Sequence, residues 1–218
     1  ELYCEVDGDF PNHHPDPTVD SNLDRIVEKI KLGNFDIGVA YDGDADRVIC
    51  IDSNGGIIRS DILMCLFAKD ILKDSNSNNK IVFDVKCSSS LKNVIHELGG
   101  NPIECKTGHS LIKNRMHIEN SKFGGEMSGH IFFADDYYGY DDAIYVSLRL
   151  IEILSKSDLT LGNMVDLIPQ YCSTPELRFE CTNDDLKFQI MSDIKLYFEK
   201  VYKCSTIDGI KIFIDDGW

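Results

Sequence analysis

The sequence predicts an α/β protein with two consecutive mixed or parallel-sheet α/β domains, followed by the start of an α+β domain. Short apolar runs of strand length alternate with segments whose apolar residues recur at helical spacing, which is typical of α/β units. A polar stretch at residues 74–79, with the sequence DSNSNN, interrupts this alternation as a linker would, and the alternation then restarts. After residue 174 the pattern changes to strand, helix, strand. We therefore predict domains at residues 1–77, 78–174 and 175–218.

In the first predicted domain, short apolar runs indicate strands and longer periodic segments indicate helices. Ser21 or Asn22 can cap the first helix, and Ile62, Leu66 and Phe67 lie on one face of the second. The predicted elements are a strand at 2–6, a helix at 22–32, strands at 36–41 and 48–52, and a helix at 60–73.

The same patterns continue through the rest of the chain. Gly99 and Gly100 stop the helix that precedes them, and residues 142–155 form a strongly amphipathic helix. In the second domain we predict strands at 80–85 and 102–105, helices at 89–98, 110–118, 142–155 and 161–168, and a glycine-rich turn between Phe123 and residues 131–133. In the third domain we predict a strand at 176–181, a helix at 186–202 and a strand at 211–214.

The acidic composition excludes some classes of partner. The chain has 218 residues, a formal net charge of −15 and 43% hydrophobic residues. A nucleic-acid-binding surface needs a basic face, so we expect no nucleic-acid partner. We also expect no membrane partner, because no apolar stretch has the length of a membrane span. A local group of Lys, Arg and His can still bind a small anionic ligand.

The eight cysteines indicate free thiols in a reducing compartment. None forms a Cys-x-x-Cys pair, and most lie within apolar runs. We therefore expect a cytoplasmic protein. The chain begins at Glu1 and enters an apolar segment at once, so we expect it to be a piece of a longer protein.

The sequence DGDADR at residues 42–47 predicts a metal site. Asp42, Asp44 and Asp46 alternate directly after an apolar run, so an extended loop would direct all three carboxylates to one side. A hard divalent cation such as Mg²⁺ offsets their repulsion, and three ligands leave positions open for an anionic substrate group. A solvated acidic turn is the alternative. An EF-hand loop does not fit, because Arg47 stands where its glycine is required and Ser53 where its bidentate glutamate is required.

Polar side chains also follow three predicted strands of the second domain. These strand-end loops are DVKCSSS at 84–90, KTGHS at 106–110 and GGEMSGH at 124–130. In a parallel α/β domain, ligands bind at this end of the sheet. Lys and His can hold or protonate phosphate oxygens, while Glu and Ser can bind sugar hydroxyls, so the three loops together predict a polyol-phosphate site. The segment FPNHHPDP at 10–17 is expected to be a rigid structural loop with at most one histidine near the cleft.

Together these strings resemble the α-D-phosphohexomutase family, and within it the bacterial phosphomannomutase/phosphoglucomutase branch. The matching strings, in the family's order, are FPNHHPDP at 10–17, DGDADR at 42–47, FDVKCS at 83–88, KTGHSLIK at 106–113 and GEMSGH at 125–130. The resemblance implies an enzyme of four domains around a cleft. It interconverts hexose 1- and 6-phosphates of glucose and mannose through a bisphosphorylated intermediate and an active-site phosphoserine.

The resemblance also implies a role for each matching residue. Asp42, Asp44 and Asp46 would bind Mg²⁺ together with the phosphoserine, and Arg47 would hold the transferring phosphoryl group. Lys86 and His109 would be the general acid and base. The implied substrate-binding residues are Gly108, Glu126, Ser128 and His130.

The sequence departs from the family pattern in what it lacks. The phosphoserine string (Thr-Ala-Ser-His-Asn-Pro) is absent, and so is the C-terminal phosphate-binding loop. The chain therefore resembles most of domain 2, all of domain 3 and the start of domain 4, and we expect this fragment alone to be inactive and a monomer or weak dimer.

Two other functions stay open. One is a Mg²⁺-dependent phosphatase with Asp42 as nucleophile, although Asp46 stands where such enzymes usually have Thr or Val. The other is a non-catalytic fragment that only binds sugar phosphate.

Overall fold

A computed structural model describes residues 1–73, 79–174, 176–177, 179–215 and 217–218. The predicted linker at 74–79 therefore lies outside the described residues, except for Asn79. The helices are α1 (Asp24–Leu32), α2 (Ser60–Ile71), α3 (Ser89–Glu97), α4 (His109–Glu119), α5 (Ala143–Ser155), α6 (Leu161–Asp166) and α7 (Asp184–Phe198), and a 3₁₀ turn at Asp20–Leu23 precedes α1. The strands are β1 (Ile37–Tyr41), β2 (Val48–Asp52), β3 (Ile57–Ile58), β4 (Lys80–Asp84), β5 (Asn101–Cys105), β6 (Phe123–Gly125), β7 (Ile131–Phe133), β8 (Lys203–Ser205) and β9 (Lys211–Phe213).

The first sheet is an antiparallel meander in the order β1-β2-β3. Its first two strands pair from Ile37 opposite Asp52 to Tyr41 opposite Val48. The segment 42–47, with the sequence DGDADR, is therefore the tip of a hairpin, and we call it the acidic loop. The strand predicted at residues 2–6 is wrong, because the described backbone there makes no ladder and Val6 is fully exposed. A strand without a neighbour or an apolar layer has little stability in water.

The second sheet is mixed and is covered on both faces. Its order is β5-β4-β6-β7, with β4 parallel to β5 and β6, and with β7 antiparallel to β6. Successive strand residues point to opposite faces. Ile81 and Phe83 therefore pack in the large core cluster with α2 and α3, while Val82 packs with Ile112 and Met116 of α4. This places the carboxyl ends of β4, β5 and β6 at one edge of the sheet.

Helix α2 belongs with the second sheet. Phe67 lies edge-on to Phe123 and Phe133, with ring centroids 5.9 and 5.0 Å apart, and the helix also packs on α3. The predicted division at residue 77 would separate α2 from the sheet on which it packs. Since β3 pairs in the first sheet and α2 packs on the second, we propose that the second domain begins just before α2, at about residue 59, and not at residue 78.

Gly124 allows α4 to approach the second sheet closely. A Cβ atom at this position would lie 2.7 Å from the Val82 carbonyl oxygen and 2.8 Å from the Met116 sulfur. Any larger residue would therefore separate β6 from its neighbours.

The C-terminal segment contains α7 and the hairpin of β8 and β9. Helix α7 begins at Asp184, before the predicted residue 186, because the Asn183 side chain accepts a hydrogen bond from the Leu186 amide and caps it. The strand predicted at 176–181 is wrong for the residues described there. Leu177 and Phe179 are 72% and 87% exposed, so no apolar layer covers these two side chains to stabilise a strand there. Within the described ranges, no helix combines the length and apolarity needed to span a bilayer.

Candidate active site

The loop between β1 and β2 brings the three aspartates together. One carboxylate oxygen of each of Asp42, Asp44 and Asp46 lies within 4.8 Å of the others. The cause differs from the extended backbone that we expected. The loop makes a tight turn in which the Asp42 amide donates to the Arg47 carbonyl at 3.3 Å, and Ala45 has a left-handed φ of +58°.

Asp42 organises this loop. One of its carboxylate oxygens accepts hydrogen bonds from the Asp46 and Arg47 amides, both at 3.1 Å. Its other oxygen accepts from the Arg47 Nε at 2.6 Å. A carboxylate has about four acceptor positions, so one remains on the second oxygen for a cation.

The electrostatics of the loop differ between its carboxylates. Burial alone would raise the pKa of Asp42, but the Arg47 side chain and backbone bonds outweigh burial and lower it. Burial, together with the neighbouring Asp42 carboxylate, raises the pKa of Asp46 to about 6. A raised carboxyl pKa at a cluster of like charge is the state that a bound cation would reverse. All the donors are carboxylate oxygens, which is the chemistry that Mg²⁺ prefers, so the residues fit that ion.

Asp16 supports the loop from the segment 10–17. Its carboxylate lies 3.2 Å from the Nη1 atom of Arg47. Burial alone would raise the pKa of Asp16, but hydrogen bonds from Thr18 and the charge of Arg47 outweigh burial and lower it. Arg47 thus binds Asp42 and Asp16 through two of its five N–H groups and keeps three for another anion. Sequence reasoning missed this contact because Asp16 and Arg47 lie 31 residues apart.

Asp84, at the end of β4, ties together the three strand-end loops of the second sheet. This carboxylate is only 1% exposed. One of its oxygens accepts from the Met127 amide at 3.1 Å and from the Cys87 thiol at 3.0 Å, and the other accepts from the Thr107 hydroxyl at 3.1 Å. One buried side chain therefore positions the loops that carry Lys86, His109 and Glu126.

Glu126 is buried and connects two of these loops. The Gly108 amide donates to one of its carboxylate oxygens, and the Ser128 hydroxyl donates to the other at 2.9 Å. Gly108 has a φ of +136°, a conformation that favours glycine, and it directly precedes α4. The structure thus brings three of the predicted substrate-binding residues into one hydrogen-bonded unit.

Two histidines face each other where the two sheets meet. The rings of His109 and His130 stack with centroids 5.4 Å apart. Asp141 lies beside both, with one oxygen 3.2 Å from the His109 Nδ1 and 3.1 Å from the His130 Nδ1. Its other oxygen accepts from the Lys113 Nζ at 2.8 Å. Burial alone would raise the pKa of Asp141, but the Lys113 bond outweighs it and lowers that pKa.

His130 also reaches the acidic loop. Its Nδ1 lies 3.6 Å from an oxygen of Asp46. The Val48 amide donates to the Gly129 carbonyl at 3.2 Å and the Ala143 amide donates to the Ala45 carbonyl at 3.0 Å, so backbone bonds join the same loops. The predicted metal loop and the predicted sugar loop are therefore in direct contact.

Lys86 lies at a different part of this edge. Its Nζ is 2.8 Å from a carboxylate oxygen of Glu176, and both side chains are half exposed. An anionic ligand would compete with Glu176 for this lysine, and the exposure of both groups makes such an exchange easy.

Sequence reasoning missed Asp84, Asp141 and Lys113. Asp84 and Lys113 lie within the strings FDVKCS and KTGHSLIK, close to the predicted site residues Lys86 and His109. Asp141 directly precedes Asp142, the N-cap of α5, and looks like an ordinary acidic helix start. Only the folded structure shows that all three side chains contact the predicted site.

Comparisons with known proteins place the chain in one family. Residues 1–55 match the family model described as phosphoglucomutase/phosphomannomutase, alpha/beta/alpha domain II, and residues 59–171 match alpha/beta/alpha domain III of the same family. A phosphomannomutase/phosphoglucomutase of Pseudomonas putida is 44% identical over 218 residues, which are 100% of this chain and 47% of that protein. A phosphoglucomutase of Neisseria gonorrhoeae is 43% identical over 220 residues, with the same two coverages.

A solved structure is also similar. A phosphoglucomutase/phosphomannomutase family protein of Burkholderia thailandensis superposes with a TM-score of 0.87 at 37% identity, covering 97% of this chain and 44% of that one. The chain thus spans about half the length of the curated relatives that it matches.

Proposed function

The chain belongs to the phosphoglucomutase/phosphomannomutase family, and we propose that the complete protein interconverts hexose 1-phosphates and hexose 6-phosphates of glucose, mannose or both. The observation that carries the proposal is the contact between the acidic loop and the strand-end loops of the second sheet, through Asp46 and His130. A phosphoryl group held at the acidic loop would then lie beside side chains that can hold a sugar and move a proton.

We propose that Asp42, Asp44 and Asp46 hold Mg²⁺. When bound, the ion would offset negative charge on a phosphoryl group in a loose transition state. Arg47, oriented by Asp42 and Asp16, would donate its remaining N–H groups to the phosphoryl oxygens.

His109 and Lys86 are the proposed proton-transfer groups. Asp141 contacts His109 through Nδ1, so the Nε2 atom is the one left to exchange a proton with a sugar hydroxyl. Lys86 would exchange its ion pair with Glu176 for a hydrogen bond to a substrate oxygen.

Glu126, Ser128 and the Gly108 amide would hold the sugar. Their mutual bonds orient the groups before substrate arrives, and sugar hydroxyls would exchange with the Ser128 hydroxyl on the Glu126 carboxylate. His130 would line the same pocket. The proposed partners are thus hexose phosphates, in a cytoplasmic protein that acts as a monomer or weak dimer.

The test is a mutase assay on the complete protein. We expect conversion of glucose 1-phosphate or mannose 1-phosphate to the 6-phosphate, dependent on Mg²⁺ and on a trace of the bisphosphate. Loss of a general acid or base typically lowers the rate by about 10²–10⁴, so His109→Gln should lower kcat by at least about 100-fold. The matched control is His117→Gln, an exposed histidine in the last turn of the same helix, α4, which should leave kcat unchanged.

Two results would contradict the proposal. Release of inorganic phosphate, with a hydroxylamine-labile acyl phosphate on Asp42, would make the protein a phosphatase. The three donors already bonded to the Asp42 carboxylate argue against a nucleophilic role. Binding of hexose phosphate by the complete protein without turnover would make it a binding protein. Residues 1–218 alone should give no turnover, because the family's phosphoserine string does not occur in them.

A further inference from the structure

A second group of donors lies next to the aspartate triad and contains an imidazole. It consists of Asp46, His130 and Asp141, each of which offers one donor atom within 4.8 Å of the other two. Only Asp46 is shared with the triad of Asp42, Asp44 and Asp46.

The two central donor atoms are buried without a hydrogen-bond partner. Within the part of the chain that the structure describes, neither the His130 Nδ1 nor one oxygen of Asp141 has a partner in hydrogen-bond geometry, although they lie 3.1 Å apart. The Asp141 side chain is only 8% exposed. The same Asp141 oxygen also lies 3.2 Å from the His109 Nδ1. A buried polar atom without a hydrogen bond destabilises a protein, and a cation bound by both the His130 Nδ1 and this oxygen would remove that cost.

The spacing of the donors matches the edges of a small coordination sphere. Two ligands about 2.0–2.1 Å from a tetrahedral Zn²⁺ are about 3.3 Å apart. The His130 Nδ1 lies 3.1 Å from the Asp141 oxygen and 3.6 Å from the Asp46 oxygen. The third pair of donor atoms, from Asp46 and Asp141, lies within 4.8 Å.

The surrounding groups orient this set. Lys113 binds the other oxygen of Asp141 at 2.8 Å, which leaves the first oxygen beside the Nδ1 atoms of His130 and His109. An outer hydrogen bond of this kind fixes a ligand's orientation at a metal site. One imidazole and two carboxylates neutralise a divalent ion and leave its fourth position open.

We propose that Asp46, His130 and Asp141 form a second cation site, selective for an ion that accepts imidazole nitrogen, such as Zn²⁺, over Mg²⁺. Imidazole suits Zn²⁺, whereas Mg²⁺ takes oxygen ligands and keeps its waters. Because Asp46 cannot serve both sites fully, Zn²⁺ at this site competes with Mg²⁺ at the triad. Inhibition of the enzyme by Zn²⁺ follows from this competition and rests on the proposed function, whereas the binding itself does not.

The binding test removes the triad first. Asp44→Asn disables the triad but leaves the second site intact, and alkylation of the exposed thiols of Cys4, Cys172 and Cys181 removes competing sulfur ligands. Titration calorimetry should then show one Zn²⁺ bound per chain. Adding His130→Gln should weaken that binding by at least about tenfold, as expected for the loss of a directed ligand. The matched control is His96→Gln, an exposed histidine at the end of α3, which should leave the affinity unchanged.

A measurement on the unsubstituted protein makes the test independent of whether the variants fold. In ¹⁵N-resolved NMR of the histidine rings, Zn²⁺ should shift the Nδ1 resonance of His130 and leave His13 and His14 unchanged. Absence of Zn²⁺ binding in Asp44→Asn, equal affinity with and without His130, or an unshifted His130 resonance would overturn the inference. The cluster would then be an ion pair only. Mutase activity is not needed for these measurements, so failure of this inference and failure of the proposed function are distinguishable.

Discussion

Replacement of Asp84 by alanine tests how the strand-end loops are held. The change removes the acceptor for the Met127 amide, the Thr107 hydroxyl and the Cys87 thiol at once. An amide left without an acceptor lowers the free energy of unfolding by about 1–3 kcal/mol. Loss of the bond from the Thr107 hydroxyl, which can rotate to another acceptor, lowers it by about 1 kcal/mol. The thiol is a weak donor. We therefore expect Asp84→Ala to lower the free energy of unfolding by about 2–4 kcal/mol.

The assay combines urea denaturation with amide hydrogen exchange. Exchange at Met127 should accelerate more than exchange in β4 itself, because the loop loses its anchor while the ladder remains. Asp84→Asn keeps one oxygen for the Met127 amide and should lose only about 1 kcal/mol. Asp136→Ala, an exposed aspartate after β7, is the control and should change stability by less than about 0.5 kcal/mol. A loss below about 1 kcal/mol in Asp84→Ala, with unchanged exchange at Met127, would refute the role of Asp84 as an anchor.

Ion binding and reactivity give three more predictions. Because the pKa of Asp46 is raised to about 6, Mg²⁺ affinity should rise between about pH 5 and 7. Without metal, the free energy of unfolding should fall as pH rises from about 4 to about 6, since the folded state holds the Asp46 proton more tightly than the unfolded state does. Mg²⁺ titrations and urea melts across this range measure both effects, and flat profiles would contradict the assignment. Arg149 pairs with Asp135 at 2.8 Å, and its guanidinium lies 4.5 Å from the centre of the Phe133 ring. Arg149→Met should therefore lower the free energy of unfolding, measured by thermal unfolding, by about 1–3 kcal/mol. The exposed control Arg115→Met should lower it by less than about 0.5 kcal/mol, and equal losses would contradict this prediction. Burial raises the pKa of the Cys50 thiol to about 12 and also raises the pKa values of Cys65 and Cys87. Iodoacetamide should therefore label the exposed cysteines and leave these three unmodified, as measured by peptide mass spectrometry. Early labelling of Cys87 would contradict the packing around Asp84. The exposed cysteines are Cys4, Cys172 and Cys181.

Local patterns predicted the regular elements well wherever burial and periodicity agree. Strand β2 has the predicted bounds, Val48–Asp52, because its residues are all buried and all fit a strand. The strands expected at 2–6 and 176–181 failed for the opposite reason. Their residues favour strands, but in the described parts of these segments no neighbouring strand pairs with them.

The candidate site was predicted only as far as its residues lie in recognisable loops. The three aspartates lie within five residues of each other, so their convergence follows from local sequence. Asp84 and Met127 are 43 residues apart, and Asp16 and Arg47 are 31 apart. Such pairings depend on sheet order and on loop packing, which no local pattern encodes. The contact between Asp46 and His130 has the same origin.

Binding of a divalent ion at the aspartate triad is the most direct test of this account. Mn²⁺ can replace Mg²⁺ at oxygen ligands and is counted by electron paramagnetic resonance. We expect one Mn²⁺ per chain that Mg²⁺ displaces, retained in Asp36→Asn, an exposed aspartate at the opposite end of β1, and lost in Asp44→Asn. No displaceable Mn²⁺, or equal binding by both variants, would contradict the assignment of the acidic loop as the metal site.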